Sequence, residues 1–186
     1  MLVTIEGISG SGKTELIRNM KPYLEVADPI YSREPYGTMR QNIIGNQGGI
    51  KKQGLYYILS HAEHLEKLIE PKNADNLIIV DEFFDSIIAH QTVIHGQDIN
   101  NMVEYMKKSS VIPDITFLLD CPGETAHRHN KMHEIYDSVL FYESVRENYL
   151  LLAQMYPERY IVIDTQKVSM SLAAKDIADI ILLKFK

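Results

Sequence analysis

Two short stretches carry residues that could do chemistry on phosphate. The first is GISGSGKT, Gly7 to Thr14, which matches the pattern G-x-x-x-x-G-K-[ST] and stands between an apolar run and a helical one. Its glycines allow the backbone of Gly7, Ile8, Ser9, Gly10, Ser11 and Gly12 to fold into a nest of N–H donors, and the helix that follows adds its positive end. In such a cradle Lys13 reaches the β- and γ-phosphates of a nucleoside triphosphate, and Thr14 can ligate magnesium. A glycine-rich turn without a ligand would explain the glycines but not the Lys-Thr pair that ends them. The second stretch is IVDEFFDS, Ile79 to Ser86, an apolar strand ending in two adjacent carboxylates. Asp81 is placed to hold a magnesium ion, whereas Glu82 puts a second negative charge where phosphates would arrive.

The elements that must position these residues can be read from hydrophobic spacing. LVTIE (Leu2 to Glu6), NLIIVD (Asn76 to Asp81), ITFLLD (Ile115 to Asp120) and YIVID (Tyr160 to Asp164) read as strands, with a weaker strand near Ile30 to Ser32. Helical spacing covers Glu15 to Leu24, Phe84 to His95, Asn100 to Lys108, Ser138 to Met155 and Ser169 to Lys184. Gly45 to Gly54 reads as a loop. After it, Leu55, Ile58, Leu59, Ala62, Leu65, Leu68 and Ile69 are expected to form the buried face of a helix. Strands that are apolar on both faces, with helices between them, predict an α/β domain built on a parallel sheet covered on two sides.

Composition sets the remaining bounds. The 186 residues fit one domain, read as spanning 1–186, with 45% apolar and 24% charged residues. A formal net charge of −6 argues against a broad nucleic-acid surface, though not against a local basic groove. The single cysteine, Cys121, excludes an internal disulfide, suits a reducing compartment and is expected to be packed rather than reactive. No run approaches the length of a membrane span, and the N-terminus lacks a charged region followed by an apolar run and a cleavage site. A cytoplasmic location is the expectation. The N-K-x-D signature of guanine reading is absent, which argues against a switch GTPase.

Several segments in one order point further. IEGISGSGKT is followed by SREPYGT (Ser32 to Thr38), LYYILSHAEH (Leu55 to His64), VDEFFDSIIAHQ (Val80 to Gln91), PDITFLLDCPGETAHR (Pro113 to Arg128) and FYESVRENYLLLAQMYPERYIVID (Phe141 to Asp164). With these the chain resembles the thymidylate kinase family over nearly its whole length. The resemblance implies a P-loop nucleotide kinase fold with a five-stranded parallel sheet, a short lid at about 121–137, ATP and Mg²⁺, a thymine-type acceptor and a homodimer. It also implies that Arg128, with Lys131, His129 and His133 nearby, supplies the lid charge that stabilises a transferring phosphoryl group. An arginine so placed can be worth about 10³ to 10⁵ in rate. Gly10 agrees with the subgroup that carries a basic lid, the other subgroup having arginine there. The resemblance assigns Arg33 to the acceptor side, Tyr57 to stacking on the base, His61 to a base carbonyl in place of the family's arginine, and Gln91 to the acceptor pocket. Tyr57, His61 and His64 share one helix stripe, which without a ligand would be ordinary surface.

The chain departs from the family at Ser9, His61, Ile87, Ser138 and above all Glu82, where the family has arginine on the acceptor's 5′-phosphate. A carboxylate cannot take that role, because repulsion at about 4 Å in a cleft costs a few kcal/mol. Three readings of Glu82 stand open. In the first, other cations (Arg33, Arg40 or Lys51) hold the phosphate; in the second, Glu82 is a general base for an alcohol acceptor; in the third, it is a solvated residue in the first turn of a helix. The expected activity is transfer of the γ-phosphate of ATP to dTMP. The alternatives are a kinase acting on the hydroxymethyl group of 5-hydroxymethyluracil in viral DNA, with Glu82 as base, and a nucleotide-binding module without transfer activity.

Overall fold

A computed structural model of the chain describes residues 1–44, 49–130 and 138–185. Five strands form one parallel sheet: β1 (Leu2–Glu6), β2 (Ile30–Arg33), β3 (Ile78–Asp81), β4 (Ile115–Asp120) and β5 (Tyr160–Asp164), in the order β2-β3-β1-β4-β5. The described helices are α1 (Lys13–Leu24), α2 (Met39–Ile44), α3 (Gly49–Asn73), α4 (Phe84–His95), α5 (Ile99–Ser109), α6 (Gly123–His129), α7 (Val139–Met155) and α8 (Met170–Phe185).

Alternation along the strands divides the core in two. Val3, Ile5, Ile79, Phe117 and Leu119 pack with α1 and α8, whereas Leu2, Ile78, Val80 and Leu118 face α3, α4, α5 and α7. The chain leaving β1 thus turns to one face, through α1. The chains leaving its neighbours β3 and β4 turn to the other, through α4 and α6. Such a divergence opens a crevice above the carboxyl end of the central strand. Glu6 and Gly7 at the end of β1, Asp81 at the end of β3 and Arg33 at the end of β2 all stand there, with Arg33 opposite Asp81 in the ladder.

One buried charge pair braces the wall. Arg159 donates to both carboxylate oxygens of Asp85, at 2.6 and 2.8 Å, and to Thr116 Oγ1 at 2.6 Å, while Thr116 hydrogen-bonds Thr4. The rings of Phe84, Tyr156 and Tyr160 surround the guanidinium. Burial works against its charge, but Asp85 more than offsets this and holds Arg159 above the ordinary arginine range.

Three sequence expectations are corrected. The stretch 45–54 is not a loop throughout: 45–48 lies outside the described residues, but helix α3 already runs from Gly49. Glycine costs a helix about 1 kcal/mol, yet close packing favours it at Gly54, where an added Cβ would lie 2.8 Å from Gln91 Oε1 and 2.9 Å from His95 Nε2. The short helix α2 has no counterpart in the sequence reading. The buried face of α3 is also only partly the expected one: Leu68 is buried and Ile58 and Leu65 are half-buried, but the other four positions face outward. Leu55 is 61% exposed, Leu59 and Ile69 are each 50% exposed, and Ala62 is exposed, while His61, His64 and Leu68 are buried. Apolar spacing revealed the helix but could not say which stripe faced inward, because hydrogen bonding satisfies the polar stripe from within.

Candidate active site

The loop between β1 and α1 has the backbone that a phosphate cradle needs. Gly7, Gly10 and Gly12 have φ of 142°, 84° and 100°, in the region that side chains resist. At Gly10 a Cβ would lie 2.2 Å from the carbonyl oxygen of Ala126, so the tip of the loop is in contact with α6. Lys13 is only 8% exposed. Its ammonium donates to Gly7 O at 2.6 Å and Ile8 O at 3.2 Å, and lies 2.9 Å from Glu82 Oε1. Burial works against the charge, but Glu82 and Asp81 more than offset it and keep Lys13 above the usual lysine range.

Glu82 is therefore not a solvated first-turn residue. It precedes the N-cap of α4, Phe83, has φ of 64°, and spends its carboxylate on Lys13. Beside it, burial and the Glu82 charge raise the Asp81 carboxyl. Oδ1 of Asp81 is buried without a hydrogen-bond partner. An orphaned carboxylate oxygen at a strand end is a fit for a hard cation, and the hydroxyl of Thr14, on the exposed first turn of α1, can supply a second ligand.

Across the crevice, Arg33 is exposed at the tip of β2, and Arg40 of α2 folds back to donate to Pro35 O at 2.8 Å. Burial and then the neighbouring Arg33 charge lower Arg40 from the usual arginine range, while Glu82 and Asp81 oppose that. Guanidinium groups suit anions, which makes Arg33 and Arg40 candidates for binding one.

Tyr57, His61 and His64 do lie on one stripe of α3, but it is the inner one. Nδ1 of His61 and Nδ1 of His64 both meet Glu34 Oε1, at 2.6 and 2.9 Å. Their Nε2 atoms face Ser110 Oγ at 2.9 Å and Ser32 Oγ at 2.7 Å. Burial pushes the Glu34 carboxyl up, but its two histidine hydrogen bonds outweigh this and hold it below the usual carboxylate range. His61 thus has both nitrogens spent on protein partners and braces the pocket wall rather than offering a free donor. Tyr57 is half-buried against the core beside α4, and Gln91 is buried in α4 with its Oε1 lacking a hydrogen-bond partner. Arg128 is exposed in the last turn of α6, two positions beyond the Ala126 that touches the loop. Lys131 and His133 lie outside the described residues, and Lys51 is described only in its backbone.

Sequence reasoning passed over Glu6, Glu34 and Arg146. Glu6 accepts from Phe83 N at 2.9 Å beneath the site. Burial, followed by the charges of Asp85 and Glu82, pushes its carboxyl well up. Its signal in the sequence was an acidic residue closing an otherwise apolar strand. Arg146 of α7 clasps Asp120 through Nε and Nη2 and Glu143 through Nη1. Glu143 in turn accepts from Gly123 N at 2.8 Å, so this network fastens the start of α6.

Comparison with known proteins agrees with this geometry. A family model described as Thymidylate kinase matches residues 5–177. The chain is 35% identical to a probable thymidylate kinase of Methanosarcina mazei, covering 89% of this chain and 88% of the relative. It is 34% identical to another of Methanoculleus marisnigri, over 88% and 86%. With the thymidylate kinase of Chlorobium chlorochromatii it shares 31% identity over 97% of this chain and 94% of that one.

Proposed function

The chain belongs to the thymidylate kinase family, and from that membership we propose that it transfers the γ-phosphate of ATP to dTMP, giving dTDP. The observation that carries this reading is two groups of cations on strand ends either side of β3: the loop Gly7–Thr14 with its buried Lys13, after β1, and Arg33 with Arg40, after β2 and beyond Asp81. In-line transfer needs a donor and an acceptor phosphate held face to face, and little else from the protein but placement and positive charge.

In this assignment the loop amides and Lys13 hold the donor phosphates, and Arg128 adds charge from the α6 side. Arg33 and Arg40 hold the acceptor's 5′-phosphate. Tyr57 flanks the base, and the unpaired Oε1 of Gln91 can accept from its N3–H. Asp81 and Thr14 would hold magnesium, which when bound neutralises the charge that gathers on the bridging phosphate oxygens. The alternative acceptor, a hydroxymethyl base in DNA, is not favoured: the relatives are named for thymidylate, and the carboxylate that would serve as base is engaged by Lys13. We read residues 1–186 as one kinase domain with its lid at about 121–137.

Incubation with ATP-Mg²⁺ and, in parallel, dTMP, thymidine or DNA containing 5-hydroxymethyluracil should give phosphorylated product from dTMP alone. Labelled DNA with unchanged dTMP, or transfer to none of them, would overturn the assignment.

The enzyme is further proposed to act in the cytoplasm, where ATP and a single reduced cysteine are at home. No described helix is long and apolar enough to cross a membrane. It is also proposed to work as a homodimer, joined along the outer stripe of α3. Leu55, Leu59, Ala62 and Ile69 there form an exposed apolar row, the kind of patch that marks an interface. Leu59→Glu should halve the sedimenting mass. An unchanged mass would remove this stripe as the interface.

A further inference from the structure

The carboxylate of Glu82 touches the one lysine that the donor phosphates need. An ammonium has three hydrogens to give. Those of Lys13 face Gly7 O, Ile8 O and Glu82 Oε1, at 2.6, 3.2 and 2.9 Å. A phosphate oxygen can reach Lys13 only by displacing one of these partners. The two carbonyls are neutral and belong to the loop itself. Glu82 alone carries a full charge, and it stands at the end of a movable side chain. It is the partner that must yield, and its attraction is the one a nucleotide must match.

The backbone shows that this contact is built in. The N–H of Glu82 donates to Ile5 O at 3.1 Å, and the next N–H, of Phe83, to Glu6 Oε1 at 2.9 Å. These bonds hold Glu82 at φ of 64°, a left-handed conformation that glycine or asparagine adopts more readily than glutamate. What the glutamate adds at this disfavoured position is a carboxylate aimed over the loop onto Lys13.

We propose that Glu82 is a built-in competitor for the phosphate-binding lysine: it holds Lys13 whenever phosphates do not, and so weakens nucleotide binding and hastens departure of the product nucleotide. Glu82 is here a positioning residue, acting through Lys13 rather than on the reacting atoms. The proposal rests on the reading that Gly7–Thr14 holds ATP. When the donor arrives, the freed carboxylate is left at the mouth of the loop, where it repels the phosphates that displaced it. Solvent screens this repulsion without abolishing it, since the side chain is only one quarter exposed.

The test is calorimetry of Mg·ADP and of a non-hydrolysable Mg·ATP analogue on three proteins: wild type, Glu82→Gln, which keeps the shape, and Glu82→Asn, which suits the left-handed backbone. Both variants, once shown to be folded by their thermal unfolding, should bind ADP about tenfold more tightly, the scale of one largely buried ion pair at the edge of solvent. In steady state their KM for ATP should fall, and kcat should fall with it as ADP leaves more slowly in stopped-flow release. Unchanged or weaker ADP binding in both variants would overturn the proposal. So would a lower kcat with ADP affinity unchanged, which would give Glu82 a direct chemical role instead. Wild-type protein that binds neither nucleotide would sink the donor-site reading itself, and is told apart by being seen before any variant is compared.

Discussion

Lys13→Ala should lower kcat/KM for ATP by at least about 10³ while leaving the protein folded. Removing one well-placed donor to a developing oxyanion costs about 10² to 10³ in rate. Lys13 is more than one donor, because its ammonium is also the nearest cation to Glu82 and a counter-charge for Asp81. Without it, two carboxylates face the incoming phosphates unopposed, so binding and turnover should both suffer. The double variant Lys13→Ala/Glu82→Gln separates these losses: it should regain part of the nucleotide affinity and none of the rate. The measurements are steady-state turnover of ATP with dTMP, and circular dichroism to show that the sheet persists. Turnover within tenfold of wild type would remove Lys13 from the donor site.

The second large effect concerns stability. Asp85→Ala should cost about 3–5 kcal/mol, because it strands the buried Arg159 guanidinium without its counter-ion. Asp85 is fully buried and Arg159 nearly so, and the two share a fork of hydrogen bonds at 2.6 and 2.8 Å. In a protein of this size such a loss corresponds to a melting point lower by roughly 10 °C, and it is a large part of the 5–15 kcal/mol that separates a folded domain from its unfolded chain. Removing both charges together, as in Asp85→Leu/Arg159→Met, should cost far less, because no orphaned ion remains. Urea titration reads both cases. A single variant as stable as wild type would mean that Arg159 finds another partner.

What was legible in the chain follows from the physics of each signal. Strands buried on both faces are continuous apolar runs, so β1, β3 and β4 were plain in the sequence; β5, at the other edge and partly exposed, was readable because its residues are apolar all the same, and the glycines and Lys-Thr of the loop have few other uses. The edge strand β2, with its part-exposed residues, gave only a faint signal. Part of the inner face of α3 was misplaced, at Leu55, Leu59, Ala62 and Ile69, because periodicity measures where apolar residues recur and is silent on which stripe meets the core. Here two histidines and a glutamate satisfy one another inside, leaving leucines outward. The carboxylate at position 82 was visible as an anomaly, but its partner was not, since Lys13 lies 69 positions away along the chain and is brought near only by the pairing of β1 with β3.

The contact between Gly10 and the carbonyl of Ala126 constrains how this chain could change. A side chain of any size at position 10 would collide with helix α6 where it now stands, since even a first carbon would come within 2.2 Å of a backbone oxygen. An arginine could be introduced into the loop only if that helix were displaced at the same time, and Arg128 with it. Mutational drift that brought an arginine into the loop would therefore cross an intermediate with α6 out of place, and single-step libraries at position 10 should return glycine.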